Sequence, residues 1–271
     1  MTEPVPPRQA PTGVDTSVAH SARIWNFWQG GHLFYEADRV AGEAFAAEVP
    51  EIRDLALSSR QFLRRSVRWA VTEAGLRQVL DLGAGLPSEP NVHEIAQAAD
   101  RTARVVYVDN DPMVTVHQAA YLDGTPQGAT AYVHADIREP ERVLAEAART
   151  LDLARQPTAL VFSDMLGHIA DLDEAYALVR RLVDGVAPGS CLVLSHSAPS
   201  SRLPALAGAN DSYAAAGGVP YVLRTPEQIA GFFEGLDLVA PGLVPMPRWR
   251  PDGSTLGIAA DVGWGAVARI P

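Results

Sequence analysis

An apolar segment that runs directly into an Asp-x-Gly-x-Gly turn constrains the fold of this chain more than any other feature. The segment is Gln78-Val79-Leu80, and the turn is Asp81-Leu82-Gly83-Ala84-Gly85. Glycine has no Cβ atom, so it permits a tight turn and lets the backbone approach a ligand closely. A strand that ends in such a turn predicts a nucleotide-binding loop at the edge of a parallel sheet.

Helical and strand patterns alternate along most of the chain. We predict a helix over 17–28 that ends at Gly30 and Gly31, and a long amphipathic helix over 50–75. Beyond the first strand, the predicted helices lie near 91–100, 112–122, 139–151 and 172–186, and the predicted strands over 103–109, 130–135, 158–163 and 190–196. Such alternation requires crossover connections and therefore predicts an α/β fold with a mostly parallel sheet.

The pattern loosens after residue 200. We predict helices near 203–217 and 226–234, followed by strands near 236–240 and 262–269. A long proline-rich connection separates these two strands, and we expect them to pair as a hairpin.

Acidic residues follow three successive predicted strands. Asp81 ends the first, Asp109 the second and Asp136 the third. A carboxylate in the place of Asp109 can accept hydrogen bonds from both ribose hydroxyls, and Asp136 suits the amino group of adenine. The carboxylate of Asp81 would repel a pyrophosphate but attract an ammonium group. These three acids predict a site for S-adenosylmethionine, which combines a nucleoside with positive charge.

Neighbouring residues complete the predicted cofactor site. They comprise residues next to the three acids in sequence, one serine at the end of the fourth predicted strand and one arginine from the first helix, namely Gly83, Ala84, Gly85, Asn110, Ile137, Ser163 and Arg23. Each acid also has a simpler interpretation, because an acid after a strand often caps the next helix. A nicotinamide oxidoreductase is the weaker alternative, since Ser88 stands where a dinucleotide fingerprint has its third glycine.

Composition limits the remaining choices. The 271 residues carry a formal net charge of −10, which argues against nucleic-acid binding and favours a small-molecule substrate. There is no lysine and one cysteine, so a Schiff-base lysine and a disulfide within the chain are excluded. No metal-ligand spacing and no run of 18 apolar residues occurs, so we expect no metal and no membrane span. We expect a cytoplasmic protein that could form a homodimer.

Several longer motifs resemble one known family. They are Asp15-Thr16-Ser17-Val18-Ala19-His20-Ser21-Ala22-Arg23-Ile24, the glycine turn with Asn91-Val92-His93-Glu94, Val106-Tyr107-Val108-Asp109-Asn110-Asp111-Pro112, Leu194-Ser195-His196 and Trp249-Arg250-Pro251-Asp252. Nearly end to end, the chain resembles the actinobacterial S-adenosylmethionine-dependent methyltransferases once grouped as a domain of unknown function, DUF574.

The resemblance implies a class I (Rossmann-like) methyltransferase fold. Its sheet has seven strands, of which only the last is antiparallel. We expect a disordered tail over 1–13, an N-terminal helical cap or lid over 14–76, and a catalytic core that binds S-adenosylmethionine over 77–271. The implied activity is methyl transfer, and the resemblance implies little about the substrate. We expect a small-molecule acceptor and place the reaction in secondary metabolism, including antibiotic biosynthesis.

Two departures from the family pattern stand out. Gly30-Gly31-His32-Leu33-Phe34-Tyr35 replaces an expected Gly-Gly-Lys-Asp-Asn-Phe, and Leu166-Gly167-His168 replaces an expected Leu-His-His. If the first loop lines the substrate pocket, its apolar residues indicate a changed substrate or a changed reaction. The second departure leaves one histidine after the fourth strand.

The candidate catalytic residues are His168, Tyr35, His20 and Asp164. A neutral imidazole can accept a proton near pH 7, so His168 is the first choice as general base. We assign structural roles to His93 and His196. Two alternatives remain open, namely a bound sulfonium that catalyses an elimination or ring closure without methyl transfer, and a degenerate fold that serves as a binding or regulatory partner.

Overall fold

The computed structural model describes residues 15–111, 114, 123–201, 203–253 and 262–271. The tail predicted over 1–13 and nearly all of the helix predicted over 112–122 lie outside these residues. The described helices are α1 (Ser21–Trp28), α2 (Glu36–Glu48), α3 (Ile52–Thr72), α4 (Val92–Ala99), α5 (Pro140–Ala147), α6 (Leu172–Asp184), α7 (Ala205–Ala215) and α8 (Pro226–Gly231).

The strands form one mixed sheet. They are β1 (Gln78–Leu82), β2 (Arg104–Asp109), β3 (Ala129–His134), β4 (Thr158–Ser163), β5 (Cys191–Ser197), β6 (Asp237–Leu238), β7 (Val244–Pro245) and β8 (Gly263–Arg269). Their order is β3-β2-β1-β4-β5-β8-β6, with β7 also paired to β8. The first five strands are mutually parallel, and β8 is antiparallel to each of its partners. The predicted α/β class and the antiparallel last strand are therefore confirmed.

The eighth strand arises because the edge next to β8 is interrupted. Asp237 pairs with Arg269 in β6, and Val244 pairs with Gly265 in β7, so both short strands lie along the same side of β8. The intervening residues make a turn in which the Gly242 amide donates to the Val239 carbonyl. The predicted hairpin is thus present, with its first strand split in two.

Successive side chains of each strand point to opposite faces of the sheet and so belong to two separate cores. In one core, Leu80 and Leu82 of β1 pack against α5, α6 and α8. The other takes Val79 together with Tyr107 of β2, and packs them against α3 and α4. Since side chains alternate between faces, Asp81 belongs to the face that α3 covers.

Helix α3 packs directly on the sheet, although the prediction grouped it with the cap. Its apolar stripe includes Phe62 and Val67, which lie in the same core as Val161 of β4 and Val193 of β5. The helix begins after Pro50 and ends before Gly75, within the predicted span. The cap layer above this framework consists of α1 and α2, and α7 packs against α2.

The structure of the cap differs from the prediction at two helices, α1 and α2. Helix α1 begins at Ser21 rather than near residue 17, because His20 has extended backbone angles and caps the helix by accepting a hydrogen bond from the Ala22 amide. Helix α2 was not predicted at all. Its sequence is rich in alanine and charged residues, and only three of its residues are buried, which are Asp38, Gly42 and Phe45.

Candidate active site

The glycine turn after β1 is tied to the end of β2. The amides of Gly83 and Ala84 both donate to the Val108 carbonyl, at 2.9 and 3.0 Å. Gly83 has a φ of +74°, and a Cβ atom there would lie 2.8 Å from the Met165 side chain. A larger residue would be strained and would clash, so the turn requires glycine at this position.

Asp109 joins the turn to the loop after β2. One carboxylate oxygen accepts from the Gly85 amide at 2.9 Å, and the other accepts from the Asp111 amide at 3.0 Å. Burial raises the pKa of Asp109, while these two amide donors act in the opposite direction. Each oxygen keeps a further lone pair with which it could accept a ribose hydroxyl.

Replacing Asp109 by alanine is expected to weaken cofactor binding by about 1 to 3 kcal/mol, since charge-assisted hydrogen bonds are lost. Isothermal titration with S-adenosylhomocysteine measures the change. Asp100→Ala is the control, because Asp100 precedes β2, pairs with Arg77 and does not line the cavity. An unchanged affinity in the Asp109 variant would remove the ribose assignment.

Asp81 is a buried acid without a hydrogen-bonding partner. Its side chain is 4% exposed, and no donor among the described residues reaches its carboxylate. Burial raises its pKa to about 7, Arg60 acts to lower it, and Asp109 acts to raise it. A buried carboxylate that lacks a donor is costly to ionise. An ammonium group placed next to Asp81 would relieve this cost.

Asp136 lies at the outer end of the site. Its carboxylate accepts hydrogen bonds from the backbone and guanidinium of Arg138 and, at 3.4 Å, from the Asn110 side chain. Burial acts to raise the pKa of Asp136, but the bonds from Arg138 hold it below its usual value. Ile137 is buried beside it. Asp136 is therefore ionised and already paired, which leaves fewer lone pairs for an adenine amino group.

These residues line one cavity of about 370 Å³, a volume typical of small-molecule sites. Asp81, Gly83, Ala84, Gly85, Asp109, Asn110, Asp136, Ile137 and Ser163 all contribute to its wall. The rest of the wall is largely apolar and comes from the cap, from α3 and from α7 and the segment after it; its members include Trp25, Phe45, Leu55, Leu63, Leu206, Tyr213 and Leu223.

Asp164 follows β4 in a left-handed conformation, with φ +50°. Its buried carboxylate accepts hydrogen bonds from the hydroxyls of Ser195, Ser197 and Tyr221 at 3.2 to 3.3 Å. Burial raises the pKa of Asp164, and the hydroxyl donors oppose that effect. Ser163 just before it has its hydroxyl 3.4 Å from that of Ser59. Asp164 thus holds the ends of β4 and β5 and the Tyr221 phenol together.

His168 has one ring nitrogen committed and one available. Its Nδ1 donates to the Pro220 carbonyl at 2.8 Å, and its ring meets the Tyr221 ring edge to face, with 5.2 Å between centroids. The surrounding protein desolvates the ring and lowers the pKa of His168, although the Pro220 carbonyl acts to raise it. With the proton on Nδ1, Nε2 carries a lone pair at the cavity wall.

The structure uses His20 differently from the prediction of a base. Its Nδ1 accepts from the Ala22 amide at 3.3 Å, and its Nε2 lies 2.5 Å from the Asp111 carboxylate. Both nitrogens are occupied, so His20 has no lone pair left to accept a proton from a substrate. It lines the cavity and joins α1 of the cap to the loop after β2.

Arg23 on α1 and Tyr35 just before α2 do not lie at the cavity. Arg23 is 2% exposed; its Nε donates to Asp38 at 3.0 Å, and its other nitrogens donate to the carbonyls of Asp15 and Val18. The Tyr35 ring packs under the Arg23 guanidinium at 5.3 Å. Neither residue is among those that line the cavity, so their assignments to cofactor and catalysis gain no support from this arrangement.

The family assignment follows from comparison with known proteins. A family model described as S-adenosyl methyltransferase matches residues 7–271. The chain belongs to this family. The methyltransferase therefore uses S-adenosylmethionine as its cofactor, as the three acids after β1, β2 and β3 predicted. No curated protein matches the sequence.

Solved structures agree with this assignment. A DUF574 family protein from Streptomyces avermitilis is 41% identical with a TM-score of 0.90, and the match covers 95% of this chain and 99% of that one. A Thermobifida fusca protein assigned as a methyltransferase is 35% identical with a TM-score of 0.86, over 96% and 98% of the two chains. The resemblance to the DUF574 family is thus confirmed.

A more distant structure shares the fold alone. Magnesium protoporphyrin IX methyltransferase from Synechocystis, solved with bound S-adenosylmethionine, is 16% identical with a TM-score of 0.53. The match covers 92% of this methyltransferase and 90% of that enzyme. The class I methyltransferase fold that the sequence predicted is therefore confirmed.

The two unusual loops of this methyltransferase have structural explanations. Leu33 packs against Leu86 beside the glycine turn, and its amide donates to the Asn26 side chain. No residue of the segment 30–35 lines the cavity, so the apolar loop does not alter the pocket wall. A Cβ atom on Gly167 would lie 2.3 Å from the Tyr221 ring. Glycine at this position makes room for Tyr221.

The histidines assigned structural roles are both buried and paired. His93 hydrogen-bonds the Tyr107 hydroxyl through Nδ1 at 2.8 Å. His196 donates from Nδ1 to the Ser197 carbonyl and accepts at Nε2 from Arg224. Burial lowers the pKa of His196 to about 4, so it stays neutral. Neither ring lines the cavity.

Sequence reasoning missed several polar residues of the cavity wall, among them Arg60, Tyr213 and Tyr221. Arg60 had a detectable signal, because it lies on the apolar stripe of α3 between Ala56 and Leu63. A charged side chain on such a stripe is rarely buried unless an oppositely charged or hydrogen-bonding group compensates it. The two tyrosines lie beyond residue 200, where no pattern placed the chain near the site.

The described residues contain neither a metal-binding cluster nor a membrane-spanning helix. No group of three histidine, cysteine, aspartate or glutamate side chains in this part of the chain is arranged to hold a metal ion. No helix among these residues has the length and apolar character needed to cross a membrane.

Proposed function

We propose that this methyltransferase acts on a small, largely apolar molecule and that His168 accepts the proton which the acceptor group loses. One observation carries the proposal. A single cavity joins the acids at the ends of β1, β2 and β3 to an apolar wall under the cap, and His168 lines that same cavity. We place the reaction in secondary metabolism.

The charged end of the cavity fits the cofactor. Asp81 offers an unpaired carboxylate to an ammonium group, and Asp109 has lone pairs for ribose hydroxyls. Gly85 leaves open space where a Cβ atom would stand. When bound, S-adenosylmethionine supplies an activated methyl group on a sulfonium. The protein's contribution is to align the acceptor with that group and to exclude water.

The apolar end fits an uncharged acceptor better than an anionic one. Its wall includes Trp25, Phe45 and Leu206. Acidic residues outnumber basic ones on the cavity wall, since Asp81, Asp109, Asp111, Asp136 and Asp164 line it with Arg60 and Arg138. An anionic substrate would be repelled. An aromatic or aliphatic molecule that carries a hydroxyl or an amine would match the apolar wall and would carry no negative charge.

Asp164 and His168, which both follow β4, have different roles in the proposed reaction. Nε2 of His168 can take a proton because Nδ1 is fixed by the Pro220 carbonyl and the lowered pKa keeps the ring neutral at pH 7. Asp164 holds the Tyr221 hydroxyl at 3.3 Å, and the Tyr221 ring packs on His168. We therefore assign Asp164 a positioning role and His168 the role of general base.

A labelling experiment tests the activity. The protein is incubated with methyl-deuterated S-adenosylmethionine and a panel of small aromatic amines and phenols, and mass spectrometry follows the label and S-adenosylhomocysteine. The proposal expects a labelled product with one S-adenosylhomocysteine per turnover. A new product without label would indicate the elimination or ring closure considered above. Cofactor binding without any turnover across a broad panel would favour a binding or regulatory role.

With an accepted substrate, His168→Gln is expected to lower kcat by about 100- to 10,000-fold, the usual contribution of a general base. S-adenosylhomocysteine should bind as in the parent protein, because His168 is not placed on the cofactor. His32→Gln is the matched control, since His32 is exposed and outside the cavity. Equal activity of the two variants would show that another group accepts the proton.

A further inference from the structure

Arg60 is a cation on α3, within one turn of buried apolar residues and of a second cation, Arg64. It lies on α3 between Ala56 and Leu63, both of which are buried, and it lines the cavity together with Asp81. A charged side chain in such a place is costly unless a partner compensates it. The identity of that partner is therefore informative.

Backbone carbonyls hold the Arg60 guanidinium from one side. One terminal nitrogen donates to the carbonyls of Ser88 and Pro90 in the loop after the glycine turn. Nε is buried and has no hydrogen-bond acceptor among the described residues. Carbonyls are neutral, so they orient the guanidinium without neutralising its charge.

Arg60 and Asp81 are near each other but do not form an ion pair. Burial lowers the pKa of Arg60 to about 10, and Asp81 acts to raise it; Arg60 in turn acts to lower the pKa of Asp81. Each therefore feels the charge of the other, and Arg60 remains a cation at neutral pH. No ion pair within 4.0 Å joins them in the described part of the chain.

Two opposite charges on one cavity wall, each without an ionic partner, match the two charges of an α-amino acid. We infer that Arg60 binds the α-carboxylate at the amino-acid end of S-adenosylmethionine, while Asp81 binds the ammonium of the same group. Guanidinium groups bind carboxylates through charge-assisted hydrogen bonds. The inference rests on the cofactor and on the ammonium assignment of Asp81, and it adds a second contact.

Arg64 provides a natural comparison. It lies one turn further along α3, and its terminal nitrogen donates to the Glu89 carbonyl at 2.7 Å. Its Nε is also buried without an acceptor among the described residues. It therefore holds the same loop as Arg60, but it does not line the cavity. A purely structural role in fixing the loop would make the two arginines equivalent.

Decarboxylated S-adenosylmethionine isolates the proposed contact, because it keeps the ammonium and lacks the carboxylate. Its affinity is compared by isothermal titration with that of S-adenosylmethionine for the full chain and for Arg60→Gln and Arg64→Gln. The full chain should prefer the intact cofactor by about 10- to 100-fold, the range expected for hydrogen bonds between charged groups. Arg60→Gln should lose most of this preference, and Arg64→Gln should keep it.

The outcomes separate the inference from the cofactor assignment. If Arg60→Gln weakens both ligands equally, or if the full chain shows no preference, the carboxylate contact is wrong although the cofactor site stands. If neither ligand binds the full chain, the cofactor site itself is misplaced and the inference falls with it. Should Arg60→Gln fail to fold, Arg60→Lys retains the charge but not the forked geometry. That variant should then show an intermediate preference, and an unchanged one would overturn the inference.

Discussion

Replacing Asp81 by asparagine is expected to weaken binding of S-adenosylhomocysteine by about 100-fold, in line with the loss of one partner of a buried charged contact. Asparagine has nearly the same shape, so the glycine turn should persist. Methylthioadenosine lacks the amino-acid end of the cofactor, and its affinity should change little. A variant that loses both ligands equally would show that Asp81 maintains the turn rather than binds the ammonium.

The same carboxylate should make cofactor binding depend on pH. Asp81 is protonated below its pKa of about 7, and the ammonium prefers the ionised form. Affinity for S-adenosylhomocysteine is therefore expected to rise as the pH increases from 6 to 8. Asp81→Asn should remove this rise. Asp100→Asn, an exchange of an acid outside the cavity, should leave it intact.

The stability of the protein without cofactor should change in the opposite direction. The pKa of Asp81 is raised from 3.8 to about 7 on folding, so the folded state binds the proton more tightly than the unfolded state. The free energy of unfolding therefore falls by about 1.4 kcal/mol for each pH unit between these two values and levels off above pH 7. Asp81→Asn lacks this loss. It should be the more stable protein at pH 8, and the difference should disappear near pH 4 in denaturant titrations.

The parts of the molecule set by local pattern could be predicted from sequence. Short apolar runs determine β1 through β5, and the alternation of strands and helices along the chain then determines a parallel sheet. The carboxyl ends of parallel strands meet at one edge, which is why Asp81, Asp109 and Asp136 line one cavity. These predictions needed no knowledge of tertiary contacts.

The predictions that gained no support depended on partners distant in sequence. Arg23 resembles a ligand-binding arginine in sequence, yet Asp38 and two backbone carbonyls occupy its guanidinium. His20 resembles a free base, yet Asp111, which follows β2, holds its Nε2. Arg60 was overlooked because only the fold brings it to the same cavity as Asp81, which lies on a different element. A side chain's function here follows from which partners it already has, and only the folded chain shows them.

Asp38 provides the second large effect, because it ties the cap together. It is fully buried; one carboxylate oxygen accepts from the His20 amide at 2.9 Å and from Arg23 at 3.0 Å, and the other accepts from the Tyr35 amide at 2.8 Å. Asp38→Ala leaves the Arg23 charge buried without its counterion, which is expected to cost about 3 to 5 kcal/mol. Thermal unfolding and limited proteolysis of the cap measure this loss.

Loss of Asp38 should also weaken cofactor binding, although Asp38 does not line the cavity. The cap contacts the site through His20, which pairs with Asp111, and through Asn26, whose side chain donates to the Pro87 carbonyl. Loosening α1 should therefore weaken S-adenosylhomocysteine binding as well as stability. Glu36 is an exposed acid on α2, the helix that carries Asp38, so Glu36→Gln should change neither property. Adding Arg23→Met to Asp38→Ala should recover part of the stability, because it removes the uncompensated charge. If the double variant is no more stable than Asp38→Ala alone, the lost hydrogen bonds to the His20 and Tyr35 amides outweigh the buried charge.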